Sequence, residues 1–179
     1  MWVFLGSECM FFGSLIATYL VYAGRSVVGP FPKEILDIPV TSVSTFVLLT
    51  SSLMMVLALA AISRGDVRGF RVWLLATALM GATFLGFQVF EFNHFVHQGL
   101  TPRTNLFGTT FFTLTGFHGA HVTVGVVWLL SLVGLSFRKG HVTQENSLKV
   151  ELAGLYWHFV DIVWIVIFTL VYLIGVTTG

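Results

Sequence analysis

Charge is what this sequence has least of. Asp, Glu, Lys and Arg make up 9% of its 179 residues, where a soluble domain carries roughly 25%. So few charges cannot clothe a solvated surface, which excludes a water-soluble globule. Nine basic and eight acidic residues leave a net charge of +1, and that excludes the basic patch a nucleic-acid partner requires. Cysteine is nearly absent too: Cys9 stands alone, so neither an intrachain disulfide nor a cysteine zinc site can form. Proline is scarce and clustered, three of the four lying within "YAGRSVVGPFPKEILDIP", which marks that stretch as a connection.

What is present is apolar residue, 56% of the chain, in runs at roughly 2–22, 41–63, 72–97, 107–137 and 149–175. Each run can cross a ~30 Å hydrocarbon core at ~1.5 Å per residue. The expectation is an all-α integral membrane bundle of five transmembrane helices, one domain over residues 1–179. The first run lacks the basic n-region of a secretory signal, is too long for an h-region and contains Glu8, so it reads as a retained span. Orientation follows from Lys and Arg in the short connections. Arg64, Arg68, Arg71, Arg138, Lys139 and Lys149 flank the second and fourth, against Arg25, Lys33 and Arg103 in the first and third. The N-terminus is therefore expected on the cytoplasmic side and the C-terminus outside.

An acid at the centre of a span costs about 2.5–3.5 kcal/mol on insertion scales, so Glu8 is a functional candidate by default. Other polar groups share its depth: His118 and His121 in "FFTLTGFHGAHVTVG" on the fourth span, and His158 and Asp161 in "VELAGLYWHFVDIVW" on the fifth. Glu151, Gly154, His158 and Asp161 are spaced three, four and three apart, which stacks them on one helix face, expected to point into protein. Gln88, Glu91 and His94 lie toward the outer end of the third span. Glu91 with His94 makes a Glu-x-x-His pair like those of di-iron bundles, but such a site needs two pairs and two further glutamates. Haem could in principle be held by His118 or His121 with His158. The simpler expectation is that each histidine and acid satisfies another across helices, because unpaired polar groups in hydrocarbon cost several kcal/mol.

Small residues at Ala78, Ala82 and Gly86, and at Thr115, Gly119 and Thr123, recur every four positions, a spacing that suits close helix packing. Trp2, Trp73, Tyr156 and Trp157 fall near span ends, where the interface favours such rings. Phe111, Phe112, Phe117, Trp128 and Trp164 fall within spans, facing lipid or neighbours.

Taken in order and at their separations, "SECMFF", "TFFTLTGFHGAHVTVG" and "YWHFVDIVWIVIF" resemble subunit III of haem–copper terminal oxidases, the cytochrome c and quinol oxidases. The resemblance implies a core subunit of a proton-pumping respiratory complex in the bacterial cytoplasmic membrane. Such a subunit binds no redox centre itself, docks on subunit I beside subunit II, and leaves haem and copper to those partners. It also implies bound phospholipid, with Arg138 of "SFRKG" contacting a lipid phosphate, a polar face of Glu151, His158 and Asp161 on the last span, and Glu8 as a carboxylate reactive toward hydrophobic carbodiimides. On that basis Glu8 is expected to be largely neutral and hydrogen-bonded to His118 or His121. Many members have seven helices. This chain starts where the third would and resembles the five-helix bacterial form, so a neighbouring subunit carries the other two or Met1 is internal to a longer chain. Retention of Glu8 and "TGFHGAH" leans toward a cytochrome c oxidase. The rivals are a stand-alone membrane haem or metal protein using His118, His121 and His158, and a lipid-binding or assembly protein.

Overall fold

The computed structural model describes residues 1–26, 29–138, 142–143 and 146–175, except for the Glu34 side chain. Among the described residues the structure is helical: α1 (Trp2–Tyr22), a short α2 (Pro32–Ile35), α3 (Ile38–Ser63), α4 (Val67–His97), α5 (Leu106–Ser136) and α6 (Leu148–Ile167). The last passes into a π-helical segment over Phe168–Ile174. Five helices, counting α6 with its π extension, are long and apolar enough to cross a membrane, and they are the five expected spans. Lys139, one of the charges used for orientation, lies outside the described residues.

The boundaries differ from expectation where side chains cap the helices. α3 begins at Ile38 rather than 41, because Asp37 accepts a hydrogen bond from Val40 N and Pro39 sits in the first turn, where a missing N–H does no harm. α4 begins at Val67 rather than 72, with Asp66 accepting from Gly69 N at 2.9 Å, and Asn105 caps α5 by accepting from Gly108 N at 2.7 Å. In each case a polar residue beside a connection starts the helix instead of lengthening the loop.

α3 and α4 pack along most of their length, α5 bridges α4, α1 and α6, and α6 closes back on α3. α1 rests chiefly on α5 and is the most exposed span, with 17% of its apolar window buried against 33–44% for the others. A wedge of indole holds the centre. Trp157 is fully buried, its Nε1 donates to Ser51 Oγ on α3 at 3.0 Å, and its benzo ring lies against Gly81 of α4 and Gly125 of α5. This revises two expectations. Tyr156 and Trp157 are core residues, not interfacial ones. Close packing runs through Gly81, Gly119 and Gly125, whereas Ala82, Gly86 and Thr123 of the anticipated rows face outward. Of the other mid-span rings, Phe111 and Trp164 are buried and Phe117 is exposed.

Candidate functional site

The polar groups within the spans are distributed in small clusters, most of them between helices. Near the N-terminal end of α1, Glu8 Oε2 lies 3.0 Å from His121 Nε2 on α5, and His121 Nδ1 lies 2.8 Å from the Phe117 carbonyl. A carbonyl only accepts, so Nδ1 carries the hydrogen. One proton then remains between Nε2 and Glu8, either on the carboxyl group or on the imidazole. Both forms leave the pair with zero net charge, which is how a carboxylate-bearing span can sit in hydrocarbon. Tyr156 of α6 donates to the His121 carbonyl at 3.0 Å, and Phe12 packs edge-on against the His121 ring at 4.9 Å, so three helices converge on this turn. The pair opens onto an apolar groove of about 520 Å³ lined by Phe4, Phe117, Val124 and Trp128 among others.

His118, the other histidine offered for Glu8, is elsewhere. It is fully buried, stacks on Trp164 at 4.8 Å and meets Phe84 edge-on at 5.9 Å, and neither ring nitrogen has a hydrogen-bond partner among the described residues. Asp161 is likewise buried, near Ser52 of α3, and neither of its carboxyl oxygens has a partner at hydrogen-bonding geometry among the described residues. The structure thus brings Glu8 and His121 together and gives His118 and Asp161 no histidine or acid as a hydrogen-bond partner among the described residues. His158 Nδ1 shares a 2.6 Å hydrogen bond with Ser52 Oγ on α3, and Glu91 accepts from Thr41 on α3. Hydroxyl groups of α3 thus take the role that the sequence reading gave to acids and histidines. Residue type alone could not reveal this, because mid-helix Ser and Thr also bond their own backbone.

Glu151 does not join the inward face of α6. It is exposed and accepts from Ser147 Oγ at 2.8 Å, because the first turn of α6 packs inward through Val150, which is fully buried. Gln88 is buried and donates to the Thr115 carbonyl at 2.7 Å, with Gly119 providing the space for its carboxamide. His94 is exposed and pairs with Gln98 at 2.8 Å. Among the described residues no three of His, Cys, Asp or Glu gather as a metal-ligand set.

The opposite end of the bundle is organised by a residue the sequence reading treated only as a topology charge. Arg71 of α4 donates from Nε to Ser136 Oγ at 2.9 Å and from Nη2 to the Ser136 carbonyl, and its guanidinium carbon lies 4.3 Å from the Phe137 ring centroid. It thereby satisfies a carbonyl left open at the end of α5. Arg138 follows immediately and is exposed.

Comparison with known proteins is uniform along the chain. The family model for cytochrome c oxidase subunit III matches residues 1–176. Cytochrome c oxidase subunit 3 of Bacillus sp. (strain PS3) is 42% identical over 97% of this chain and 84% of its own length. Quinol oxidase subunit 3 of Bacillus subtilis (strain 168) is 40% identical over 97% and 85%. Cytochrome bo(3) ubiquinol oxidase subunit 3 of Pseudomonas aeruginosa is 39% identical over 97% and 83%.

Proposed function

The chain belongs to the cytochrome c oxidase subunit III family, and from that premise we propose that it is the non-redox core subunit of a proton-pumping respiratory terminal oxidase, with cytochrome c as electron donor. Family and fold together make it a multi-pass subunit of a haem–copper oxidase complex. In the finer reading it docks on the catalytic subunit I beside subunit II. Haem and copper belong to those partners, and phospholipid binds near Arg138. The N-terminus faces the cytoplasm of the bacterial inner membrane, as six cationic residues against three support. The preference for cytochrome c rests on Glu8 and "TGFHGAH", since relatives of both donor types match equally well.

One observation carries the non-redox reading: Glu8, Glu91, His121 and His158 each bond to a neighbouring helix. That is the arrangement of a scaffold, in which Glu8 and His121 act as a positioning pair. The rival haem reading draws on the unpaired nitrogens of His118, but Phe12, Phe84 and Trp164 surround its ring, and His121 and His158 turn to Glu8 and Ser52. The test is a reduced-minus-oxidised spectrum with metal analysis on the chain purified alone and on the gently purified complex. The expected result is a colourless chain and a complex with haem and copper. Stoichiometric haem or iron in the isolated chain overturns the reading. Glu8→Gln in the complex separates scaffold from relay: an unchanged proton-pumping stoichiometry is expected, and a reduced one assigns Glu8 a proton role.

A further inference from the structure

At the end of the bundle opposite Arg71 and Arg138, the C-terminal turn of α1, the start of α5, Phe31 with Pro32, and Gly175 line a cavity of about 160 Å³. An engineered cavity of ~150 Å³ takes benzene, so this one suits a group of about seven heavy atoms. Among the described residues four aromatic rings line it, those of Tyr19, Tyr22, Phe31 and Phe107, and no charged side chain does. Tyr19 is 2% exposed, yet among the described residues its hydroxyl makes no hydrogen bond, and it lines this space. A side chain at Gly175 would bring its Cβ within 2.8 Å of that oxygen. Ser26 Oγ accepts from Phe107 N at 3.1 Å, which leaves its own hydrogen to donate.

These features select a ligand by exclusion. A buried phosphate or carboxylate with no cation beside it is strongly disfavoured. A primary ammonium is compact and strongly hydrated, and among the described lining residues no carboxylate stands beside it to offset its burial. A quaternary ammonium has no N–H to satisfy and is attracted to aromatic faces. An oxygen close to it gives the buried phenol the acceptor it lacks. The cavity also lies where spans meet the membrane interface, at headgroup level. We propose that it is a binding site for a choline-type group, with the trimethylammonium against the four rings and its oxygen accepting from Tyr19. The same chemistry is supplied by a zwitterionic lipid headgroup or by a small free solute.

The test uses the assembled oxidase in nanodiscs of phosphatidylglycerol alone, titrated with choline chloride and with its neutral isostere 3,3-dimethylbutan-1-ol by isothermal calorimetry. Saturable choline binding is expected, with the isostere weaker by about tenfold or more. Tyr22→Leu, at the rim, should weaken choline by a similar factor, and Tyr19→Phe by roughly three- to tenfold. An unchanged haem spectrum serves as the check on assembly. Repeating the titration in discs containing phosphatidylcholine distinguishes the sources: loss of free-choline binding identifies the lipid headgroup, and persistence identifies a solute. Absence of saturable binding, equal affinity for the neutral isostere, or indifference to both substitutions overturns the proposal.

Discussion

Replacing Gly81 by alanine adds one methyl group at the point where Trp157 wedges between α4 and α5. Its Cβ would stand 2.8 Å from Trp157 Cζ2 and 3.0 Å from Val126 Cγ2. The indole cannot simply withdraw, because its nitrogen is held by Ser51 on α3 and its far edge already touches Gly125, where a Cβ would meet Cζ3 at 2.8 Å. Overpacking of this kind costs about 1–3 kcal/mol, against a gain of up to about 1 kcal/mol from alanine's helix propensity. The net expectation is a loss of about 1–2 kcal/mol. Gly86 on the same helix is the control, since a Cβ there meets nothing within 4 Å, and Gly86→Ala should be neutral or stabilising. Denaturation in mixed detergent–SDS micelles, followed by tryptophan fluorescence, gives both values. Combining Gly81→Ala with Trp157→Phe, which shortens the wedge, should cost less than the sum of the two single changes. Equal shifts for Gly81→Ala and Gly86→Ala would refute the wedge as the element that spaces α4 from α5.

Three further outcomes follow from the polar contacts. Thr41→Val removes one hydrogen-bond partner of buried Glu91 and should destabilise the subunit by about 1–3 kcal/mol, with Thr41→Ser restoring most of it in the same micelle assay. Glu8→Leu and His121→Leu should show a coupling of roughly 0.6–1.7 kcal/mol in a double-mutant cycle, whereas Glu8→Leu with His118→Leu should be additive. Arg71→Lys keeps the charge but loses the planar fork on Ser136, so subunit retention in the purified complex should fall at high detergent. Arg138→Lys should leave retention unchanged.

Much of this bundle was legible because span length and apolarity are coarse signals that survive any packing arrangement. The span ends were less so: Asp37, Asp66 and Asn105 looked like loop residues and proved to be caps that extend their helices. The Glu8 site was narrowed to two histidines three residues apart, which spacing leaves on nearly one helix face, only about 60° apart, so the pattern could not choose between them. That small angle is enough for His121 to meet Glu8 of α1 while His118 turns onto Trp164. Glu151 shares a helical face with His158 by spacing, but spacing carries no information on where a helix enters its neighbours. Trp157 resembled an interfacial ring for the same reason. Gly81 and Gly125 gave no warning, since their value lies in a partner 76 and 32 residues away in sequence.

The hydroxyl ladder of α3 has a direction built into it. Thr45 donates to the Thr41 carbonyl and Ser51 to the Leu48 carbonyl, so each has placed its hydrogen within its own helix before receiving the indole N–H of Trp164 or Trp157. At these positions α3 is complete in lipid without α6, while α6 arrives with two donors that only α3 satisfies. The dependence runs one way. A ribosome making this chain releases α3 about a hundred residues before α6, so the self-sufficient helix enters the bilayer first and waits. The late helix then has one depth and one rotation at which both indoles are answered. Synthesis order and hydrogen-bond polarity thus point the same way, and the bundle closes on its last span.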